Sequence, residues 1–268
     1  MHHFITRRSL IHAAAASSFL NFSACSTPAT LAASLAPSGR LRACINLGNT
    51  VLANKDAASG QVAGVSVDMA RALAAQLGVD VETVVVDAAG KAVEIVKSGQ
   101  ADIGFFAIDP LRSVGLAFTA PYVLIEGAYL VRQASALTAN EQVDRPGTRV
   151  MVGKGSVYDL YLTRELKAAQ VLRAPTSPTV VDQFLAENAD VAAGVKQQLQ
   201  ADAARLGGLR LLPGRFMVIE QAMGMPAGRG AAAETLLKDF VERAKASGMV
   251  AQSLARHGIR GALVAPAS

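Results

Sequence analysis

The sequence has few of the side chains that bind metals or form disulfides. Its 268 residues include two cysteines, Cys25 and Cys44, and four histidines, of which only His257 lies beyond residue 12. No CxxC motif and no Cys/His spacing typical of zinc sites occurs. We therefore expect no disulfide framework, no metal centre and no bound cofactor. Cys44 is predicted to be a small buried side chain, and His257 to lie at a helix C-terminus.

Tryptophan is absent, and aromatic residues make up only 5% of the chain. The formal net charge is +5, and residues 1–39 contribute two basic residues and no acidic residue, which leaves 24 basic against 21 acidic residues, or +3. No cluster of lysine and arginine is interleaved with aromatic residues. This small and scattered positive charge argues against a nucleic-acid-binding protein.

Residues 1–39 are predicted to be an export signal followed by a tether. Arg7 and Arg8 precede the apolar segment Ile11–Leu20, which is too short to span a bilayer on its own. The arginine pair resembles a twin-arginine export signal, although a Sec route stays open. Residues 27–39 are rich in Ala, Ser and Pro, a composition typical of a flexible tether. Export predicts a periplasmic location.

Two kinds of processing are compatible with this leader. The segment Phe22–Cys25 resembles a lipobox, in which Cys25 would become the lipidated first residue, but Phe22 stands where an aliphatic residue is usual. The alternative is simple cleavage near Ala32 or Ala36. The mature chain is therefore either anchored through Cys25 or free in the periplasm.

Short apolar runs alternate with amphipathic segments in the rest of the chain, of which 51% of all residues are hydrophobic. This alternation predicts an α/β fold with helices packed closely on a sheet. Residues 69–77 carry apolar residues at helical spacing, which predicts a helix capped by Asp68 and ended by Gly78. Strands are predicted at 41–46, 79–87, 101–108, 122–132, 149–152, 171–173, 190–195 and 209–213.

One segment, Ala107–Tyr122, combines the end of a predicted strand, the start of a predicted helix and an arginine in the first turn of that helix. Asp109 is predicted to cap a helix that has Pro110 at its first position. Arg112 then lies just beyond the carboxyl end of a parallel strand, where open α/β sheets bind their ligands. Because an arginine near a helix N-terminus faces an unfavourable dipole, it needs an anionic partner, such as a ligand carboxylate.

The ordered motifs Asp109–Arg112 and Phe118–Tyr122 resemble the periplasmic solute-binding proteins of polar amino acid ABC transporters over roughly residues 40–257. The resemblance implies a two-lobed type II periplasmic-binding-protein fold with two β-strand hinge crossings. It also implies a monomer that delivers an amino acid or related organic acid to an inner-membrane ABC permease. The expected division is lobe 1 at 40–127 plus 221–268, and lobe 2 at 128–220.

The same resemblance assigns a ligand site. The arginine of the turn, here Arg112, holds the ligand carboxylate, and a glycine-serine helix start, here Gly155 and Ser156, contacts it from the second lobe. A helix N-terminus with free N–H groups is also an anion site on physical grounds. Asn49, in the loop that leaves the first strand, and Ala107, at the end of the third, complete the expected lining.

The sequence departs from the family where the ligand ammonium is normally held. Aligned on Asp190–Lys196, the position of the usual acid is occupied by Val195. An unpaired buried ammonium is costly, so the ligand either lacks an ordinary α-amino group or is held by another acid. Glu126 and Glu220, in the two predicted crossings, are the candidates, and a paired hinge role for Glu126 is equally compatible with the sequence.

Three function classes remain, of which a binding receptor is favoured. Relatives of this fold include cyclohexadienyl dehydratases, so Glu126 or Glu220 with a raised pKa could serve as the proton donor of an arogenate or prephenate dehydratase. No histidine, cysteine or serine dyad accompanies either acid, and a single acid in a cleft is weak support for catalysis. A sensory module would usually carry an additional transmembrane segment and signalling domain.

Overall fold

The computed structural model describes residues 1, 2 and 28–268 of the chain. The strands in this part are β1 (Arg40–Asn46), β2 (Asn54–Lys55), β3 (Val62–Ala63), β4 (Asp80–Val86), β5 (Ile103–Ala107), β6 (Leu116–Arg132), β7 (Arg149–Gly153), β8 (Gln170–Ala174), β9 (Val191–Val195), β10 (Leu209–Leu211), β11 (Met217–Pro226) and β12 (Leu263–Val264). The helices are α1 (Pro28–Leu35), α2 (Val65–Leu77), α3 (Ala89–Lys97), α4 (Pro110–Ser113), α5 (Val157–Glu165), α6 (Val180–Ala186), α7 (Lys196–Leu206), α8 (Ala231–Ala246) and α9 (Met249–Arg256).

Strands from both lobes form one continuous mixed sheet, in the order β4-β1-β5-β11-β6-β9-β7-β8. In lobe 1, β1 pairs in parallel with β4 and with β5. The five residues of β5 are all buried, as expected for a strand covered on both faces. Cys44 on β1 is also buried, as predicted, and burial raises the pKa of its thiol to about 12.

Lobe 2 repeats this arrangement on a smaller scale, because β7 pairs in parallel with β8 and with β9. Its core includes Leu130, Met151 and Phe184, each fully buried. Helices α6 and α7 pack against these strands. The α/β fold predicted from the alternation of apolar runs is thus confirmed, although α7 was not among the predicted elements.

Two antiparallel strands, β6 and β11, connect the lobes. They pair from Gly127 opposite Met217 to Leu116 opposite Pro226. Strand β6 continues into lobe 2, where it pairs with β9, while β11 pairs on its other edge with β5 of lobe 1. These are the two predicted crossings. The predicted lobe boundaries at 127/128 and 220/221 fall within them and stay a prediction.

The predicted tether is wrong for residues 28–36. Residues 28–35 form helix α1, which contacts α2 and α8. Leu35 and Ala36 are buried, and Arg229 donates a hydrogen bond to the Leu35 carbonyl over 3.1 Å. The alanines that suggested low complexity also favour a helix, and Leu35 supplies the apolar contact that holds it. Arg7, Arg8 and Cys25 lie outside the described residues.

The predicted cap of α2 is also wrong. The helix begins after Gly64, so Asp68 lies within its first turn. One carboxylate oxygen of Asp68 instead accepts hydrogen bonds from Ser253 over 2.6 Å and Arg256 over 2.9 Å, and lies 3.0 Å from His257 Nε2. The capping signal is local, whereas these partners come from the C-terminal helix α9. The helix does end at Gly78, whose φ of 68° suits glycine.

Asp102 is the centre of a buried ion cluster at the edge of lobe 1. Its carboxylate lies 2.7 Å from an Arg42 nitrogen and 2.8 Å from an Arg229 nitrogen, and it accepts the Arg42 backbone N–H over 2.9 Å. Asp102 is completely buried, while the two arginines keep partial access to solvent. The cluster ties the start of β1 to the loop before β5 and to the segment after β11.

Candidate functional site

A cavity of about 40 Å³ lies between the lobes, at the carboxyl ends of β1 and β5 and at the start of α5. This volume is far below the roughly 150 Å³ of a cavity that takes a benzene-sized molecule. The lobes therefore contact each other closely around it. The lining residues are Asn46, Gly48, Asn49, Ala89, Phe105, Phe106, Ala107, Arg112, Ser156, Val157, Tyr158, Ser177, Val195, Ile219 and Gln221.

Arg112 reaches this cavity because Asp109 and Pro110 form the predicted helix start. The Asp109 side chain accepts a hydrogen bond from the Leu111 N–H over 2.9 Å, with Pro110 at the first helical position. The Arg112 guanidinium is buried and donates to two carbonyls, Ala107 O over 3.0 Å and Gly155 O over 2.9 Å. Gly155 belongs to the opposite lobe, so Arg112 bridges the cleft.

The charge of Arg112 is not balanced by a protein carboxylate. Among the described residues no acidic side chain lies within ion-pair distance of it, although Asp109 lies near enough to act on it electrostatically. Burial lowers the pKa of Arg112 to about 10, and the nearby Asp109 opposes this shift. The guanidinium still carries its charge at neutral pH. A buried cation held only by two carbonyls is a strong attractor for an anion.

The start of α5 differs from the expected anion cradle. The Ser156 side chain accepts from the Asp159 N–H over 3.0 Å, and the Gly155 N–H donates to the Asp159 carboxylate over 2.9 Å. Two of the polar groups expected to face a ligand are therefore occupied within the helix start. Asp159 is itself paired with Arg173 over 3.0 Å. The N–H groups of Val157 and Tyr158 have no acceptor one turn earlier and remain as donors.

The seven predicted site residues separate into two groups. Arg112, Asn49, Ser156 and Ala107 line the cavity, and the Gly155 carbonyl contacts Arg112 beside it. Glu126 and Glu220 are not among the lining residues. In the structure, Glu126 accepts hydrogen bonds from Lys196 over 2.7 Å and Arg215 over 2.8 Å, and Glu220 is exposed on β11.

The pairing of Glu126 affects its chemistry. Hydrogen bonds from Lys196 and then Arg215 hold the pKa of Glu126 below its usual value. The carboxylate is therefore ionised at neutral pH. A general acid needs the opposite shift, because it must keep its proton until the reaction uses it. The geometry matches the paired hinge role that the sequence left open for this residue.

Several lining residues were not predicted. Tyr158 and Gln221 are buried at the cavity, and Asn46 and Ser177 also line it. Tyr158 lies two residues after the predicted Ser156, so its place in the first turn of a cleft helix was the available signal. Gln221, a polar residue inside the apolar crossing β11, gave a second signal. Nothing in the local sequence of Ser177 indicates that it reaches the same cavity.

The sequence profile of the bacterial extracellular solute-binding proteins, family 3, matches residues 51–258. The chain belongs to this family. No curated protein matches it.

Solved structures with the same fold agree with this membership. The solute receptor for L-cysteine of Neisseria gonorrhoeae superposes with a TM-score of 0.75 at 20% identity, covering 86% of this chain and 94% of that one. The amino acid ABC transporter substrate-binding protein AbpA from Streptococcus pneumoniae, bound to L-arginine, gives 0.72 at 16% identity, covering 83% and 96%. The ancestral amino acid-binding protein AncCDT-1, a precursor of cyclohexadienyl dehydratase, gives 0.71 at 20%, covering 84% and 98%.

The two lobes of this family member also meet through side chains. Arg164 of α5 lies 2.9 Å from the buried carboxylate of Asp109 in lobe 1. Thr50, in the loop after β1, donates a hydrogen bond to Gln198 of α7. Together with the bond from Arg112 to Gly155, these contacts favour a closed arrangement of the lobes.

We expect the change Arg164→Gln to open the cleft. The substitution removes an ion pair between the lobes and leaves Asp109 without its cation. Because Arg164 is 39% exposed, the loss is on the order of 1 kcal/mol, which shifts the ratio of closed to open molecules about fivefold. Small-angle X-ray scattering of the ligand-free protein should then show a larger radius of gyration.

Arg205→Gln is the matched control for this experiment. Arg205, like Arg164, forms ion pairs with aspartate side chains. Its two partners, Asp182 and Asp202, lie in lobe 2 together with Arg205, so these pairs do not join the lobes. This variant should leave the scattering curve unchanged. If Arg164→Gln and Arg205→Gln behave alike, the contact between Arg164 and Asp109 does not control closure.

No group of three or more His, Cys, Asp or Glu side chains suited to a metal ion occurs within residues 1, 2 and 28–268. Over the same described part of the chain, no helix combines the length and apolar character needed to cross a bilayer.

Proposed function

We propose that this protein is a periplasmic receptor that binds a small carboxylate-bearing metabolite between its lobes and delivers it to an ABC permease in the inner membrane. The observation that carries the proposal is Arg112, a buried cation at the cleft without a carboxylate partner. Family membership supports the receptor role. The neighbours bound to L-arginine or described as a receptor for L-cysteine support a ligand of amino acid size.

Ligand entry would proceed by opening and closing of the cleft. The Ala107 and Gly155 carbonyls use two of the five N–H donors of Arg112, and opening of the cleft would release the donor bound to Gly155 for a ligand carboxylate. The free N–H groups of Val157 and Tyr158 would then contribute to the anion from lobe 2. Since both lobes contact the ligand, binding favours the closed state.

A dehydratase is the alternative function on this fold. It requires a protonated acid beside the substrate. AncCDT-1, an amino acid-binding protein with the same fold, is described as a precursor of cyclohexadienyl dehydratase. No acidic side chain lines the cavity within the described residues, and the pairing of Glu126 lowers its pKa. These observations favour binding over catalysis. Incubation with arogenate or prephenate, followed by detection of aromatic products, tests the alternative directly.

The location of the mature protein follows from export. Family membership supports a place outside the cytoplasm. Cleavage near residue 32 would cut helix α1 and cleavage near residue 36 would remove it, so the packing of α1 against α2 and α8 favours processing upstream of this helix. Lipidation at Cys25 satisfies this condition, and the receptor would then act as an anchored monomer.

A thermal-shift screen tests the receptor role. The protein is heated with carboxylic acids and with the corresponding primary amides, which have nearly the same size and lack the charge. A true ligand at one hundred times its Kd adds about 2.7 kcal/mol of stability, which corresponds to roughly 5–10 °C. We expect at least one acid to produce such a shift and its amide to produce none. Equal shifts from both, or none from any acid, would refute the proposal.

A further inference from the structure

The cavity carries a single formal charge. Of its fifteen lining residues, Arg112 is the only one with a charged side chain, and the others are apolar or neutral polar residues. Three acids on elements that flank the cavity are engaged elsewhere, as Asp109 pairs with Arg164, Asp159 with Arg173 and Glu126 with Lys196. A ligand with one carboxylate therefore neutralises the site completely.

Val195 provides an apolar side chain at the position where the family usually has the acid that holds the ligand ammonium. It is the last residue of β9, and its side chain lines the cavity from lobe 2. The following residue, Lys196, is directed to Glu126 at 2.7 Å. The end of β9 thus presents an apolar surface to the ligand, and the next side chain along the chain, that of Lys196 at the start of α7, is positively charged.

An ammonium group would be unfavourable in this environment. It would lose its hydration beside a second cation, Arg112, without a carboxylate to compensate, and burying such a charge costs several kcal/mol. A neutral group of similar size, such as a hydroxyl, loses far less on burial when it finds one hydrogen-bond partner.

Asn49 supplies a suitable partner. Its side-chain oxygen is buried at the cavity and has no hydrogen-bond donor among the described residues. A buried unpaired acceptor favours a ligand that brings a hydrogen-bond donor, and the uncompensated charge of Arg112 favours a donor that is neutral. A hydroxyl meets this requirement, whereas a keto oxygen does not.

From this charge balance we propose that the ligand is a small hydroxy carboxylic acid without an ammonium group. The inference rests on the proposed receptor function and narrows its ligand class. The carboxylate pairs with Arg112, the hydroxyl donates to Asn49, and Val195 contacts the carbon skeleton. The absence of an acid at Val195 then becomes the feature that selects against α-amino acids.

Matched pairs of ligands test the inference on the wild-type protein by isothermal titration calorimetry. The pairs are L-lactate and L-alanine, L-glycerate and L-serine, and 3-phenyl-L-lactate and L-phenylalanine. In each pair a hydroxyl replaces the ammonium group at nearly constant size. We expect at least one hydroxy acid to bind tenfold or more tightly than its amino acid twin.

A variant at Val195 provides the second arm. Val195→Asp places a carboxylate in the cavity and should reverse the preference, so that the amino acid of the same pair binds at least tenfold more tightly than the hydroxy acid. Val195→Asn has nearly the same shape without the charge and should not reverse it. Because the wild-type comparison needs no substitution, it remains valid even if Val195→Asp fails to fold.

The outcomes separate this inference from the proposed function. If the wild-type protein binds an amino acid more tightly than its hydroxy twin, the inference is wrong and the receptor function stands. If it binds none of these acids and the wider thermal-shift screen also gives no shift, both fail. A preference for the hydroxy acid that Val195→Asp reverses, but Val195→Asn does not, supports the inference.

Discussion

Replacing Arg112 with methionine should weaken carboxylate binding roughly 30-fold or more while leaving the folded protein at least as stable as before. The substitution removes the only charged side chain that lines the cavity in the described chain. Loss of one partner from a buried charge pair costs about 2–5 kcal/mol of binding free energy, which is roughly 30-fold to several thousandfold in Kd. Calorimetric titration with a ligand identified in the thermal-shift screen measures this loss.

The stability of the same variant separates a binding role from a structural one. In the ligand-free protein the Arg112 guanidinium is buried against two carbonyls and no carboxylate. Its uncompensated charge therefore lowers the stability of the folded state. Methionine fills a similar volume without a buried charge. We expect an unchanged or higher melting temperature without ligand, and no further rise when ligand is added.

Two other variants serve as references. Arg71→Met changes an exposed arginine of α2 and should affect neither binding nor stability. Arg112→Lys keeps the charge but loses the planar fork that suits a carboxylate, so an intermediate affinity is expected. A ligand that binds Arg112→Met and the wild-type protein equally would show that the anion binds elsewhere.

Replacing Asp102 with alanine should have the largest effect on stability. Removal of one partner from a buried ion cluster typically costs about 3–5 kcal/mol, because the remaining charges lose their compensation. Arg42 and Arg229 keep side-chain exposures of 27% and 15%, which places the expected loss at the lower end. Thermal or urea unfolding followed by circular dichroism measures it.

An exposed pair on the same sheet provides the control. Asp80 lies 4.0 Å from Arg40, and the two side chains are 83% and 61% exposed. Asp80→Ala therefore removes an aspartate from a neighbouring strand with little change in stability. If Asp80→Ala destabilises the protein as much as Asp102→Ala, the buried cluster has no special role.

The Asp102 cluster also predicts a dependence on pH. Burial alone would raise the pKa of Asp102, but hydrogen bonds from Arg42 and Arg229 outweigh it and lower the pKa in the folded protein. The cluster therefore stabilises the fold fully above the unfolded-state pKa of about 4 and loses this contribution as the pH falls through the lower folded-state pKa. The stability difference between wild type and Asp102→Ala should shrink over that acidic range.

The sequence predicts the fold well where the signals are local. Asp109 and Pro110 define a helix start by their own chemistry, and the apolar run before them defines a buried strand, so the position of Arg112 follows from a few adjacent residues. Gly78 ends α2 for a similar local reason. These features need no knowledge of distant parts of the chain.

The predictions fail where distant residues decide the outcome. Asp68 resembles a helix cap until Ser253 and Arg256 of α9 donate hydrogen bonds to its carboxylate. Residues 28–35 resemble a tether until they pack against α8. At the site, Arg112 donates a hydrogen bond to the Gly155 carbonyl, 43 residues further along the chain, although Gly155 was expected only to contact the ligand. Nothing in a single sequence specifies these pairings, because each joins segments or groups whose proximity only the folded chain determines.

The route of the chain through the hinge affects how the protein can be altered. The chain enters lobe 2 along β6 and leaves it along β11. Gly127 of β6 lies opposite Met217 of β11 at the end of their pairing that is nearer to lobe 2. With the predicted lobe boundaries, lobe 2 is an insert whose two junctions lie on adjacent, paired strands. A chimaera that exchanges this insert for that of a relative would replace one wall of the cleft, including Val195, and leave the wall that carries Arg112 intact.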